Sequence, residues 1–275
     1  MTTFKKGFAI AKGSEIAENL SNYRNNYNKK GKYVGFSRFR DHYRMALGTC
    51  TDWTGFPRSG KTQVLMELLL NTSEYYGWRH LVYFPDVGNK IEIFADLIHK
   101  KTGKSFDPTK KNAITDEEIQ MEMPWIQHHF LVLTKTDVKA KLTPFDFWEM
   151  AVQIKNSDPE GLQTASIDSW KDLNHNYKEH GMYATYLEVV LPFRNQLAEE
   201  NNLHFHTIIH PKLTEKINGK RVAPTPYDLK GGSEWFNSGK SMITVHRESM
   251  DSNLVDIIFH KIKPRSSGST GFTSL

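Results

Sequence analysis

The segment GFPRSGKT, residues 55–62, most constrains what this chain can fold into. It fits the pattern G-x-x-x-x-G-K-[ST], with a strand-like run at 49–54 before it and an apolar helical run at 64–70 after it. Its two glycines let the backbone curl so that its N–H groups face phosphate oxygens, and the following helix presents its positive end. The segment therefore predicts a phosphate loop between a strand and a helix.

The residues of this loop are expected to share the work of binding a nucleotide. Lys61 would reach the β and γ phosphates, and Thr62 would ligate Mg²⁺. We expect Lys61 to be a charge that faces the ligand and not a core residue. The predicted nucleotide-binding residues are Gly55, Arg58, Ser59, Gly60, Lys61 and Thr62.

The pattern along the chain alternates between strands and helices. Further strands are predicted at 80–84, 130–134, 164–167 and 205–209, and helices at 61–78, 90–101, 116–128, 143–154 and 183–200. Two last strands, at 242–246 and 254–263, follow each other without a helix. This order predicts an α/β fold with a mostly parallel central sheet flanked by helices and a β-rich C-terminal edge.

Composition and charge predict how the chain is organised. Its 275 residues, 38% hydrophobic and 24% charged, are typical of a folded chain with one large domain. Residues 1–50 hold ten Lys or Arg and three acidic residues, a net charge of +7, although the whole chain carries +5. We expect a basic arm with a short helix at 1–43 and a single domain at 44–275. The arm suits a nucleic-acid backbone and stacked bases, and equally a solvated leader.

The sequence predicts neither a membrane-spanning helix nor a signal peptide. The longest apolar runs fall far short of the roughly 18 residues that a membrane-spanning helix needs, and the first ten residues do not resemble a signal peptide. We expect a cytoplasmic protein without a membrane partner.

Two aspartates follow predicted strands. Asp168 would join Thr62 at the magnesium ion, because the ends of neighbouring parallel strands meet at one edge of a sheet. The alternative for Asp168 is a helix N-cap. Asp86 could orient or deprotonate an attacking water, and its alternative is a simple turn in the segment Pro-Asp-Val-Gly.

The strand at 205–209 leads into a histidine and a basic loop. His210 could sense the γ phosphate, or be a satisfied histidine at a strand end. The loop after it carries net positive charge, which favours contacts with DNA over its alternative, a solvated basic loop. Its predicted DNA-binding residues are Lys212, Lys216, Lys220 and Arg221.

Further segments occur between about Lys32 and Gly271: YFPD at 83–86, IDSWKDL at 167–173, IHPK at 209–212, PYDLKGGS at 226–233, and KPR at 263–265 followed by Gly268 and Gly271. Together with the phosphate loop, and in this order, they resemble the hexameric replicative helicase family, namely the DnaB-like ATPase domain, and especially its Twinkle and phage primase-helicase branch. The resemblance implies a RecA-like P-loop ATPase with ATP and Mg²⁺ as cofactors.

This resemblance also implies roles for individual residues. It implies a water-orienting acid at Asp86, a magnesium-side aspartate at Asp168 and a phosphate-sensing residue at His210. It further implies that Lys263 and Arg265 act on the ATP of the adjacent subunit.

The chain departs from the family pattern at three places. The family usually has glutamate where Asp86 stands, and a side chain shorter by one methylene is expected to slow hydrolysis. The segment SGK at 238–240 stands where the family commonly has an acidic residue. The chain stops soon after Gly271, so we expect the final strand of the family to be missing.

The expected function is that of an ATP-dependent DNA helicase motor of replication. Its homo-oligomeric ring, a hexamer by resemblance, would hydrolyse ATP and move 5′ to 3′ on single-stranded DNA, with a separate primase or other replisome protein as a possible partner. It would work in the cytoplasm, or in the host cytoplasm if a phage encodes it. The alternatives are a RecA-like single-strand-binding or recombination protein without helicase activity, and a replication accessory module.

Overall fold

The computed structural model describes residues 13–25, 31–212, 216–217, 220–249 and 252–275. Residues 1–12 and 26–30 of the expected basic arm lie outside this described part. The short helix expected there is present as α1 (Gly13–Asn25). No helix in the described ranges is long and apolar enough to cross a membrane.

Eight strands form one sheet, and two form a small hairpin. The strands are β1 (Thr49–Thr54), β2 (His80–Tyr83), β3 (Phe130–Val132), β4 (Thr164–Asp168), β5 (His204–Ile209), β6 (Lys216–Ile217), β7 (Lys220–Arg221), β8 (Ser241–His246), β9 (Asp256–Lys261) and β10 (Gly271–Ser274). The sheet order is β10-β9-β8-β1-β5-β4-β2-β3. The six strands from β8 to β3 are parallel, and β9 and β10 add antiparallel pairs at one side. The predicted mostly parallel sheet with a β-rich C-terminal edge is confirmed.

The longer helices are α2 (Lys61–Tyr76), α3 (Lys90–Thr102), α4 (Asp116–His129), α5 (Pro144–Ser157), α6 (Tyr183–Glu200) and α7 (Gly232–Ser238). Capping boxes start α3 at Asn89, α4 at Thr115 and α5 at Thr143, where each side chain accepts a backbone N–H of the first turn. These local signals explain why the predicted starts of α4 and α5 fall within a residue of the observed ones.

The sheet separates two apolar cores. Alternate residues of β2 show the arrangement, because Val82 packs into one core while Leu81 and Tyr83 pack into the other. Buried side chains of α2, α3 and α4 complete the first core, and those of α5, α6 and α7 complete the second. Helices therefore cover both faces of the sheet and leave its strand ends to the loops.

Two boundaries differ from the sequence-based expectation. Val34, Phe39 and Tyr43 are fully or almost fully buried in the first core, so we now propose that the globular domain begins near residue 32 and not at residue 44. The expectation of a missing final strand was wrong, since β10 pairs with β9 from Gly271 to Ser274. The segment is only four residues long, and its strand character comes from this pairing and not from its own pattern.

Candidate nucleotide and magnesium site

The loop between β1 and α2 requires its glycines. Gly55 has a φ of 149°, and a Cβ on it would lie 2.1 Å from the carbonyl oxygen of Val245. Gly60, with a φ of 97°, is the N-cap of α2. Arg58 also has a positive φ, 64°, and its side chain is exposed. The loop thus has the backbone curl and the helix N-terminus that an anion-binding loop needs.

Lys61 lies inside this loop and not on its surface. Only 5% of the residue is exposed, and its Nζ donates a hydrogen bond to the carbonyl oxygen of Phe56 at 2.9 Å. Burial lowers the pKa of Lys61 to about 8, although the negative charges of Asp168 and Asp86 oppose this. Lys61 belongs to neither of the two apolar cores, and it is buried because the loop closes over its side chain. That it faces a nucleotide phosphate stays a prediction.

Thr62 and Asp168 meet at the ends of α2 and β4. The Thr62 hydroxyl donates a hydrogen bond to Asp168 Oδ2, and Asp168 is 1% exposed. Burial raises the pKa of Asp168, while the hydrogen bond from Thr62 opposes the rise. A hydroxyl and a carboxylate are oxygen ligands of the kind Mg²⁺ takes, so this pair fits that ion. The N-cap alternative fails, because Ser169 is the N-cap of the short helix Trp170–Asp172.

Asp86 lies between the side chains of Lys171 and His210 at the same sheet edge. Its Oδ1 is 2.9 Å from Lys171 Nζ, and its Oδ2 is 3.0 Å from His210 Nε2. Burial would raise the pKa of Asp86, but hydrogen bonds from Lys171 and His210 hold it below its ordinary value. The carboxylate is thus kept ionised and oriented. His210 Nδ1 is buried and has no partner in the described part of the chain.

The sequence reasoning missed two basic residues at this edge. Lys171 pairs with Asp86, and its place three residues after Asp168, near a strand end, was the sequence signal that could have identified it. Arg247 lies about 3.9 Å from where a Cβ on Gly60 would stand. Its buried Nε has no hydrogen-bond partner among the described residues. Arg247 follows β8, another parallel strand, so the rule that located Asp86 and Asp168 also applies to it.

The remaining predicted catalytic residues lie at the other edge of the sheet. Lys263 and Arg265 are exposed and line a cavity of about 800 Å³ together with Gly48 and Thr49. Thr49 begins β1, whereas the phosphate loop follows the end of β1. Six strand residues span about 20 Å, so one chain does not bring Lys263 and Arg265 to its own phosphate loop.

The predicted DNA-binding loop lies at the same edge as the phosphate loop, after β5. Lys212 is exposed, and its backbone N–H donates to the carbonyl oxygen of Asp228 at 2.8 Å. The backbone of Lys216 pairs with that of Arg221 in the β6–β7 hairpin. The side chains of Lys216, Lys220 and Arg221 lie outside the described part of the structure, and their DNA contacts stay a prediction.

No family model matches the chain. A chloroplastic and mitochondrial Twinkle homolog protein of Arabidopsis thaliana is 22% identical to it over 250 residues. The match covers 88% of this chain and 34% of the Arabidopsis protein, so the chain spans about a third of that relative's length.

Two solved structures share the fold. One is an ATPase domain, which superposes with a TM-score of 0.73 at 18% identity, over 96% of this chain and 95% of that one. The other is a DnaB-like replicative helicase, solved to describe its interactions with primase, which superposes with a TM-score of 0.70 at 15% identity, over 97% of this chain and 65% of that one. The resemblance to the ATPase domains of DnaB-like helicases is confirmed, and the chain has their RecA-like fold.

Proposed function

We propose that the chain is the ATPase motor of a replicative DNA helicase, which hydrolyses ATP between subunits of a ring and moves along single-stranded DNA. The observation that carries this proposal is the division of the predicted site between two sheet edges. Lys61, Thr62, Asp86, Asp168 and His210 meet at one edge, while the two predicted trans-acting cations lie at the other. A head-to-tail ring brings such different faces of successive subunits together.

Each residue of the nucleotide edge has a distinct part in hydrolysis. The phosphate loop binds the triphosphate, and Lys61 exchanges the carbonyl oxygen of Phe56 for phosphate oxygens. Thr62 and Asp168 hold Mg²⁺, which offsets phosphate charge when bound. Asp86 is ionised and accepts the proton of the attacking water, whose oxygen forms the new bond to the γ phosphorus. His210 links this carboxylate to the basic loop. Phosphoryl transfer then depends on positioning and charge stabilisation more than on covalent chemistry.

The other edge completes the site of the next subunit. Lys263 and Arg265 have no ion-pair partner in the described ranges, so both are available to an external anion. A trans-acting arginine typically contributes a factor of about 10³ to 10⁵ to phosphoryl transfer. The expected ligands are therefore the phosphates that a neighbour's Lys61 holds.

Further parts of the proposal concern partners and location. The basic loop after His210 is the proposed contact with single-stranded DNA, since cationic side chains neutralise backbone phosphates. A separate primase is a proposed partner, because the DnaB-like neighbour was solved with interactions with primase as its subject. The cytoplasm is the proposed location.

Strand displacement tests this function. We expect the chain to separate a forked DNA duplex with a labelled strand when ATP and Mg²⁺ are supplied, and to fail when a non-hydrolysable analogue replaces ATP. The variant Lys61→Ala serves as the inactive control. A recombinase-like protein would instead coat single strands and pair homologous ones, and pairing without displacement would contradict the motor function.

A further inference from the structure

The cavity at the edge of the sheet opposite the phosphate loop has a third cationic residue besides the two predicted trans-acting ones. Lys240, Lys263 and Arg265 all line this cavity, and Glu199 is the carboxylate among its lining residues. None of the three cations has a hydrogen bond or ion pair from its side chain within the described ranges, and Glu199 forms no salt bridge with them. The lining carries a net positive charge that its own carboxylate does not neutralise.

A nearby lysine, Lys261, differs from these three cations because its ammonium group has hydrogen-bond partners within the chain. Lys261 Nζ donates hydrogen bonds to the carbonyl oxygens of Phe236 and Asn237, the latter at 3.2 Å. Burial, and then the charges of Lys263 and Lys240, hold the pKa of Lys261 below its ordinary value despite Asp52. The fold thus satisfies Lys261 internally, while its neighbours face the cavity unpaired. Unpaired cations that converge on one cavity favour an anion of high charge.

We propose that Lys240 is a third trans-acting cation, which contacts the phosphates of the ATP held by the adjacent subunit. This inference rests on the proposed ring, because it takes the occupant of the cavity to be the ligand of Lys263 and Arg265. A triphosphate fits the three positive charges, and single-stranded DNA is assigned to loops at the opposite edge. Lys240 immediately precedes β8 and is half-buried, so the sheet holds its backbone and restricts the reach of its side chain.

The role of Lys240 in catalysis is electrostatic. An ammonium group placed at the transferring phosphoryl group stabilises the charge that develops in the transition state. Lys240 would act as a point charge beside the planar, forked guanidinium of Arg265, and the two are therefore not interchangeable. Lys240 is half-buried at the cavity wall and lies outside the two apolar cores, so the charge-reversed variant Lys240→Asp is expected to fold.

The test compares ATP hydrolysis by the full chain and its variants in the presence of single-stranded DNA. Lys240→Ala and Lys240→Asp should each hydrolyse ATP at least about tenfold more slowly, with the larger loss for Lys240→Asp. Binding of a fluorescent ATP analogue to the dilute, unassembled chain should be unchanged, because a chain's own phosphate loop lies at the opposite edge. Lys111→Asp, at an exposed turn, is the matched control and should behave like wild type.

Mixing separates a trans role from an internal one. Lys240→Asp has an intact phosphate loop and Lys61→Ala has an intact Lys240, so mixed oligomers of these two variants should regain activity. No recovery, in a preparation where Lys61→Ala does rescue Arg265→Ala, would show that Lys240 acts within its own chain and would overturn the inference. A Lys240 variant with wild-type turnover would do the same.

Two further readouts exclude other roles for Lys240. If its variants lose the oligomer in sedimentation while Arg265→Ala keeps it, Lys240 is a subunit contact and the inference fails. If they weaken single-strand affinity instead of slowing hydrolysis, the cavity binds DNA and the inference also fails. Failure of the Lys61→Ala and Arg265→Ala pair itself would instead contradict the proposed ring.

Discussion

Burial of the charged ammonium group of Lys61 destabilises the folded chain. Its pKa falls from 10.5 to about 8 on folding, and burial is the main cause. Below pH 8 both the folded and the unfolded chain carry the proton, so the full cost of burying the charge is present. Between about pH 8 and 10.5 the folded chain releases the proton while the unfolded chain keeps it, and this cost disappears.

The variant Lys61→Met removes the charge and keeps much of the side-chain volume. Without nucleotide, we expect it to be more stable than wild type at about pH 7 and to lose most of this advantage by about pH 9.5. Urea denaturation at the two pH values measures the difference. An advantage that stays constant with pH would contradict the buried, charged state of Lys61.

Asp86 makes a separate prediction about turnover. Asp86→Asn should bind ATP as wild type does but hydrolyse it at least about a hundredfold more slowly, because an amide does not accept the proton of water. Asp86→Glu tests the length of the side chain and should raise the rate if the shorter aspartate is misplaced. Asp96→Asn, on α3, is the control. Equal single-turnover rates for Asp86→Asn and wild type would place the base elsewhere.

Individual residues of the site could be predicted where a strand end or a loop motif located them. Asp86, Asp168 and His210 lie at the C-terminal ends of three different strands, and the parallel sheet brings them to one edge. The ion pair between Lys171 and Asp86 could not be predicted, since it joins residues far apart in the sequence through side-chain geometry. The burial of Lys61 likewise depends on how the loop closes over it.

At the scale of elements, a buried ion pair attaches α6 to the centre of the sheet. Arg194 and Asp52 are both 0% exposed, and Arg194 also donates to the Thr207 hydroxyl at 3.1 Å. The rings of Trp148 and Trp235 lie 5.9 and 5.8 Å from its guanidinium carbon. The charges of the pair compensate each other only while both are present.

Breaking this pair should therefore destabilise the chain strongly. Asp52→Asn leaves a buried arginine without its counter-charge, and we expect a loss of about 3 to 5 kcal/mol in the free energy of unfolding. The double variant Asp52→Asn with Arg194→Met should lose less than Asp52→Asn alone. Chemical denaturation measures both. A double variant less stable than the single one would contradict charge compensation as the cause.

The loop after β5 gives a prediction about DNA. Neutralising Lys216, Lys220 and Arg221 together should weaken single-strand binding, flatten its dependence on salt and suppress DNA stimulation of the ATPase, while basal hydrolysis survives. Binding titrations at several salt concentrations measure the slope. An unchanged salt dependence would show that this loop is not the DNA contact, and the basic segment at residues 1–50 would then be the proposed contact.

Long helices and strands were predicted from the sequence more accurately than short ones. α6 has the predicted bounds, and β1 coincides with the strand-like run before the loop, because long periodic patterns and a glycine motif define them. The short helix α7, the β6–β7 hairpin and β10 were not predicted. Each has two to seven residues, too few for a period to emerge, and tertiary pairing or packing decides their structure.

At the scale of the whole molecule, the proposed function divides one active site between the two edges of the sheet. In this proposal the edge with Lys61 binds the nucleotide, and the edge with Arg265 offers cations to the nucleotide of a neighbouring subunit. Sequence alone could name both sets of residues through the family resemblance. That the two sets lie at opposite edges of one chain became clear only from the strand directions. Because β9 runs antiparallel to β8, its C-terminal end, which leads to Lys263 and Arg265, lies at the edge opposite the phosphate loop.

Mixing two inactive variants tests this division most directly. Arg265→Ala should bind ATP almost normally and hydrolyse it at least about a hundredfold more slowly. This is a lower bound, because a trans arginine typically contributes a factor of about 10³ to 10⁵. Lys61→Ala should be inactive at its own loop. Their mixture should regain hydrolysis, because some sites then combine an intact Lys61 with a neighbour's intact Arg265. A mixture that stays inactive, although mixed oligomers are shown to form, would contradict a site shared between subunits.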